Sequence, residues 1–180
     1  MPDRRADRRA IVFWLALIVL VVVLDQVTKE WMQTHFQLTC SQVVKEPQLV
    51  YGKQIEVTDF FNLVLACNEG AAFSFLSEYS GWQRWFFAVL AIVVSIWLLV
   101  LTWQHRFERL QPCAFSLIIG GAIGNVIDRF NHGAVVDFLS FHAGPYYWPA
   151  FNIADSAIVL GVGLMLIAHF CARPPPENAT

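Results

Sequence analysis

Long apolar runs divide the chain and predict four membrane-spanning helices. The longest run, residues 85–103, is interrupted only by Ser95 and Thr102. A helix needs about 20 residues to cross a hydrocarbon core about 30 Å thick, so the three shorter runs reach spanning length only by including polar residues at their ends. The pattern predicts helices over residues 10–29, 84–104, 113–131 and 150–171.

The first apolar run follows a basic segment and could be read as the hydrophobic region of a secretory signal peptide. No small-x-small cleavage site follows it, because the chain continues with Asp25, Gln26 and Val27. We therefore interpret this run as a retained helix.

Basic residues are unevenly distributed among the segments that join the predicted helices. Four arginines precede the first helix, and Arg106 and Arg109 lie between the second and the third. Segment 30–83 contains only two basic residues, and segment 132–149 contains none. Because Lys- and Arg-rich segments stay in the cytoplasm, we expect both termini to be cytoplasmic and these two segments to be extracytoplasmic.

The longer extracytoplasmic segment alternates apolar and polar residues at 54–57 and 60–65. Such alternation predicts β-strands with one buried face. The expected fold is an all-α membrane protein, a single domain over residues 1–180, with four transmembrane helices and a small extracytoplasmic β-rich element. The proline-rich residues 174–177 predict a disordered tail.

Composition supports a membrane protein and excludes several other classes. Apolar residues form 57% of the chain and charged residues 14%, against about half and a quarter in ordinary globular domains. A soluble domain of this size could not bury so much apolar surface. The net charge of −2 argues against a nucleic-acid-binding protein. The four cysteines lack metal-ligand spacing, which excludes a zinc ribbon.

Three predicted helices carry an aspartate near the end that is expected to face outside. Asp25 lies four residues before the end of the first helix, Asp128 lies near the end of the third, and Asp155 lies near the start of the fourth. With a rise of about 1.5 Å per residue, the three carboxylates occupy similar depths at the outer boundary of the bilayer. Ionisable side chains are costly inside a membrane, so each is a functional candidate.

The motif Asn-x-x-Asp occurs twice, as Asn125 with Asp128 and as Asn152 with Asp155. Residues three apart share a helix face, so each amide could serve its carboxylate as a donor or an acceptor. Such pairs can also be packing contacts between helices, and Asp128 beside Arg129 would suit an ion pair that fixes the end of its helix. Three carboxylates at one depth favour a functional site.

A fourth acid, Asp137, lies in the apolar stretch 135–139. This environment predicts a loop that dips onto the bilayer surface, although a turn or capping aspartate would give the same pattern. Two aspartates close together in a dry site share a proton because both cannot ionise. Motifs of zinc proteases and serine hydrolases do not occur in the sequence, and the five histidines lack ligand spacing.

Five short motifs, taken in order, resemble the motif boxes of lipoprotein signal peptidase (signal peptidase II). They begin at Asp25, Asn68, Gly120, Val135 and Phe151 and read DQVTK, NEGAAFS, GGAIGNVIDR, VVDF and FNIADS. The likeness extends from the first predicted helix to the fourth. Five boxes in order make a specific match, which no single box would.

The resemblance implies a bacterial inner-membrane aspartic endopeptidase with four transmembrane helices and a small periplasmic β-rich element. This family removes signal peptides from diacylated prolipoproteins at the periplasmic side, cutting just before the lipid-modified cysteine. It needs no metal or other cofactor, works among membrane lipids without a nucleic-acid partner, and is inhibited by the cyclic peptide globomycin.

Carried over position by position, the resemblance assigns the catalytic pair to Asp137 and Asp155. It assigns supporting or substrate-binding roles to Asp25, Asn68, Gly70, Asn125, Asp128, Arg129 and Asn152. The stretch 37–54 is longer than this family usually has, which leaves substrate preference and lid geometry open. Cys40 and Cys67 both fall outside, where a disulfide could form, but spacing alone does not show that they are close.

Two other functions remain open from the residues alone. A small transporter or channel subunit would use the acids for protons or cations, but such proteins place these groups near the midplane and often contain inverted repeats. A non-catalytic assembly or lipid-binding membrane protein would use the acids only as packing contacts.

Overall fold

The computed structural model describes residues 4–70 and 82–171. Four long helices in these residues are apolar enough to span a membrane, and a short helix lies between the first two. In chain order the helices are α1 (Arg4–Phe36), α2 (Cys40–Lys45), α3 (Trp82–Gln104), α4 (Leu110–His132) and α5 (Ile153–Cys171). The predicted multi-pass architecture is confirmed. The first three residues and the tail that was predicted to be disordered lie outside the described residues.

Helix α1 continues to Phe36, beyond the predicted end at residue 29. The reason is a single buried stripe with helical spacing that extends through the polar residues at its end. The stripe consists of Trp14, Ile18, Val21, Asp25, Lys29 and Met32. Because Asp25 and Lys29 are buried against other elements, their polarity does not end the helix.

Helix α4 lies at the centre of the bundle and packs against α1, α3 and α5. Glycines allow the close approach on two of its sides. A Cβ atom at Gly120 would lie 2.7 Å from the Cβ atom of Val21 in α1. A Cβ atom at Gly121 would overlap the backbone oxygen of Ala154 in α5. Small residues at these positions therefore bring three helices together at one level.

A four-stranded antiparallel sheet adjoins the bundle, with the strands in the order β1-β2-β3-β4. Its strands are β1 (Ile55–Thr58), β2 (Phe61–Asn68), β3 (Val135–Ala143) and β4 (Tyr146–Tyr147). Strand β3 follows α4 directly, because Gly133 ends the helix in a left-handed conformation with φ 81°. The prediction of a loop at residues 135–139 is wrong, since these residues form the first half of β3.

The stretch 37–54 is folded against the sheet. Cys40 in α2 forms a disulfide with Cys67 in β2, and their Cα atoms are 5.6 Å apart. A turn of 3-10 helix (Pro47–Val50) follows α2. Around the disulfide lies a buried apolar cluster made of Cys40, Val43, Leu65, Ala134 and Val136. This cluster joins the stretch 37–54 to β2 and to the start of β3.

Candidate active site

The polar residues singled out in the sequence meet at one end of the bundle, which we call the sheet end because β3 starts there. They come from three helices and two strands, and hydrogen bonds join them into one network. The network contains Asp25 from α1, Asn68 from β2, Asn125 and Asp128 from α4, Asp137 from β3, and Asn152 and Asp155 from the start of α5.

Asp137 lies on β3 opposite Ala66 of β2, and only 3% of its surface is exposed. Both carboxylate oxygens accept hydrogen bonds from amides: Oδ1 from Asn152 at 2.7 Å and Oδ2 from Asn68 at 3.3 Å. Burial, reinforced by the negative charge of Asp155, raises the pKa of Asp137 to about 7. The two amide hydrogen bonds and the Lys29 charge offset only part of this rise.

Asp155 lies in the first turn of α5 and is half-buried. Its backbone N–H donates to Oδ1 of Asn152 at 2.8 Å, so Asn152 caps the helix. The Asp155 carboxylate accepts a 2.8 Å hydrogen bond from Nδ2 of Asn125 through Oδ1. The positive end of the helix dipole favours negative charge at this position.

The two Asn-x-x-Asp motifs work in a crossed arrangement that spacing could not reveal. The Asn125 amide donates to Asp155 in the other motif, and the Asn152 amide donates to Asp137 on the strand. Asn152 also donates to Oδ1 of Asn125 at 3.2 Å. The two asparagines therefore bridge the two acids.

A second group of charges lies beside the bridge and is almost completely buried. Lys29 forms salt bridges with Asp25 at 2.8 Å and with Asp128 at 2.7 Å. Asp25 also accepts the backbone N–H of Ala154 at 2.9 Å, and Asp128 accepts that of Val136 at 3.1 Å. These bonds fix the start of α5 and the start of β3, the two segments that carry Asp155 and Asp137.

Among the described residues, Asp128 and Arg129 do not form the ion pair that the sequence suggested, so this prediction is wrong. Successive residues point about 100° apart on a helix, and Asp128 pairs with Lys29 instead. Arg129 donates to the backbone oxygen of Asn125 at 3.0 Å and stacks over the Phe87 ring at 5.6 Å. Its charge faces Asp155, Asp128 and Asp137.

Gly70 lies close to the network through Asn68. Its N–H donates to Oδ1 of Asn68 at 2.9 Å, which turns the Asn68 amide nitrogen toward Asp137. Its φ of +101° favours glycine, and a Cβ atom there would lie 3.1 Å from the Phe87 ring. The remaining residues of this motif, 71–74, lie outside the described residues.

Sequence reasoning missed Lys29 and Gln26. Gln26 donates to Asp128 at 2.9 Å and to the backbone oxygen of Gly124 at 3.2 Å. The spacing of Asp25 and Lys29 was the available signal, since residues four apart share a helix face. Within residues 4–70 and 82–171, no group of three or more His, Cys, Asp or Glu side chains is arranged to hold a metal ion.

Comparisons with known proteins identify one family. The family model described as signal peptidase (SPase) II matches residues 17–171. A lipoprotein signal peptidase of Azoarcus sp. (strain BH72) is 58% identical over 98% of this chain and 96% of its own length. A lipoprotein signal peptidase of Yersinia enterocolitica is 48% identical over 87% and 86%. A solved bacterial membrane enzyme is 31% identical, with a TM-score of 0.68 over 93% of this chain and 94% of that one.

Proposed function

The chain belongs to the signal peptidase II family, and from this premise we propose that Asp137 and Asp155 are its catalytic pair. As a lipoprotein signal peptidase it cleaves the signal peptides of prolipoproteins, and we place the cut just before the diacylglyceryl-modified cysteine. The observation that carries the proposal is the Asn125–Asn152 bridge, which holds two acids from different elements in one network.

The environments of the two acids suit different protonation states. Asp137 is almost fully buried and has a pKa of about 7, so it holds the proton at lower pH. Asp155 accepts the Asn125 amide on Oδ1, and among the described residues no donor reaches its Oδ2. That oxygen is therefore available to a water molecule. Asp155 is the base in this assignment, and Asp137 is the acid.

Cleavage then proceeds in two steps, each with two proton transfers, and forms no covalent intermediate. Asp155 takes a proton from water, whose oxygen attacks the scissile carbonyl carbon while Asp137 donates its proton to the carbonyl oxygen. In the second step the tetrahedral intermediate returns a proton to Asp137, and Asp155 delivers its proton to the leaving nitrogen as the C–N bond breaks. The pair regains its starting state, with one shared proton.

An apolar surface lies on the same face of the sheet as Asp137. Alternate residues of a strand share a face, so Leu139 and Phe141 accompany Asp137. Phe141 is 39% exposed and stacks on Phe61 at 4.7 Å and on Phe151 at 5.9 Å. We assign this surface to the substrate segment around the lipidated cysteine.

The orientation follows from charge. Arg106 lies at the opposite end of the bundle, where it pairs with Asp7 at 2.7 Å. The positive-inside rule would keep that end in the cytoplasm of an inner membrane, which puts the sheet end at the periplasmic surface. A diacylglyceryl anchor in the outer leaflet would bring the scissile bond to the same level. The sheet then serves as the cradle for a substrate that enters among membrane lipids.

A cleavage assay tests this function. Purified protein is mixed with a diacylated prolipoprotein, and mass spectrometry identifies the new N-terminus. We expect a product that begins with the lipidated cysteine, no product from the unlipidated precursor, and inhibition by globomycin. Equal cleavage of the unlipidated precursor, or a cut at another bond, would contradict the proposed specificity.

A further inference from the structure

Lys29 lies on the buried stripe of α1, and its side chain is 2% exposed. Its ammonium group contacts Oδ2 of Asp25 at 2.8 Å, Oδ2 of Asp128 at 2.7 Å and Oδ1 of Asn125 at 3.0 Å. An ammonium group has three hydrogens and no acceptor. The three contacts therefore use its whole capacity as a donor, and the third is a contact with the bridge between the acids.

The contact with Asn125 fixes the direction of an amide. The oxygen and nitrogen of an amide are nearly the same size, so packing alone does not choose between its two orientations. Because an ammonium group can only donate, the Asn125 atom that faces Lys29 must be the oxygen. The nitrogen then faces the other way, and it lies 2.8 Å from Oδ1 of Asp155.

The reversed amide would be unfavourable at both ends. Its NH₂ group would face the Lys29 ammonium and the Asn152 amide nitrogen, which lies 3.2 Å from the present oxygen. Its oxygen would face the Asp155 carboxylate. Asn152 cannot reverse to compensate, because its own oxygen accepts the backbone N–H of Asp155 at 2.8 Å.

We propose that Lys29 is a positioning residue for the reaction: by holding the Asn125 oxygen, it directs the Asn125 amide nitrogen at Asp155 and keeps that carboxylate aligned as the base. The inference rests on the proposed function, because it assumes that Asp155 reacts. Lys29 itself touches no reacting atom and acts through Asn125.

Two matched substitutions separate positioning from general support of the buried charges. Lys29→Met removes the ammonium group and keeps an unbranched chain. Gln26→Met alters the same charge cluster, since Gln26 bonds Asp25 and Asp128, but it does not reach Asn125. We expect Lys29→Met to lower kcat about 100-fold, as misplacement of a reacting group by about 1 Å can do, with KM within about threefold. Gln26→Met leaves the Asn125 contact intact and should therefore lower kcat at least about tenfold less than Lys29→Met does.

A double-mutant cycle with Asn125→Ala distinguishes positioning through Asn125 from a purely structural role of Lys29. If Lys29 acts through Asn125, then Lys29→Met should lower kcat by less than about threefold once Asn125 is alanine. A further loss of about 100-fold in that background would show that Lys29 acts by another route, and it would overturn the inference. Equal kcat for Lys29→Met and the unmodified protein would do the same.

Lys29→Met leaves two buried carboxylates without their cation, which can prevent folding. If it does, Asp25→Asn is compared with Asp25→Asn/Lys29→Met, where one of the two carboxylates is already neutral. The double variant should have about 100-fold lower kcat than Asp25→Asn, and equal values would overturn the inference. Failure of the underlying function is distinguishable, because Asp155→Asn would then remain active.

Discussion

Replacing Gly121 with alanine should force apart the two helices that carry the bridging asparagines. The new Cβ atom would overlap the backbone oxygen of Ala154 and lie 2.8 Å from Cγ1 of Ile158. Carbon atoms pack best about 3.5–4.0 Å apart, so Ile158 must move by about 1 Å. The backbone oxygen cannot move by side-chain rotation, so α5 itself must shift. Ala154 lies next to Asp155, and the shift would therefore reach the proposed catalytic pair.

Gly163→Ala is the matched control, because a Cβ atom there would meet no atom of the described residues within 4 Å apart from its chain neighbours and the backbone of its own helix. Both substitutions gain the same helix propensity, about 1 kcal/mol, and this term cancels in the comparison. The difference is the overpacking cost of about 1–3 kcal/mol. For a chain of this size, that corresponds to melting temperatures about 2–12 °C apart.

Tryptophan fluorescence during thermal unfolding in detergent measures this difference, and the cleavage assay measures its effect on turnover. Gly121→Ala should melt at the lower temperature and cleave more slowly than Gly163→Ala. Melting temperatures within about one degree of each other would mean that α4 and α5 do not approach as closely as the structure shows.

Four further outcomes are expected. Activity should fall as pH rises through about 7, because Asp137, whose pKa is raised to about 7, then loses the proton that it must donate; a pH profile of kcat/KM that stays flat to pH 9 would contradict this. The same shift means that folding stability falls as pH rises from about 4 to about 7, since the folded state holds a proton that the unfolded state releases. Replacing Cys40 and Cys67 with serine should lower the free energy of unfolding by about 3–4 kcal/mol, because the unfolded chain regains the entropy of a loop that spans 27 residues. Urea unfolding measures this loss, and an unchanged unfolding midpoint would refute it. A reporter fused after Lys53 should be active in the periplasm, and cytoplasmic activity would reverse the orientation.

The helices were predictable because each apolar run carries its own signal. A span must be apolar whatever lies beside it, so four runs gave four helices. The end of α1 was not predictable in this way. Lys29 looks like a helix terminus in isolation, and only its partners Asp25 and Asp128 explain why the helix continues to Phe36.

Strand β3 was missed because its signal depends on its neighbours. Residues of a strand alternate only when one face is exposed, but the first four residues of β3, Val135 to Phe138, are all buried. Sequence alone shows a short apolar run, which suits a loop on the bilayer as well as a strand. The pairing with β2 decides between them.

The acids of the candidate site could be named from the sequence, but their partners could not. The cost of a buried charge marks Asp25, Asp128 and Asp155 without any knowledge of contacts. Which amide serves which acid depends on how α4, α5 and β3 meet. The crossed bonds from Asn125 and Asn152 therefore appear only in three dimensions.

Replacing Asp137 or Asp155 with asparagine tests whether these two acids together carry the chemistry. Asp59→Asn is the control, since Asp59 is an exposed acid close to the same sheet. Initial rates of cleavage of a diacylated prolipoprotein are measured for all three variants after each is shown to be folded. We expect Asp137→Asn and Asp155→Asn to lose at least about 100-fold in cleavage rate, while Asp59→Asn stays within about twofold of the unmodified protein. Cleavage by Asp137→Asn or Asp155→Asn at the rate of Asp59→Asn would contradict the assignment of these two acids as the catalytic pair.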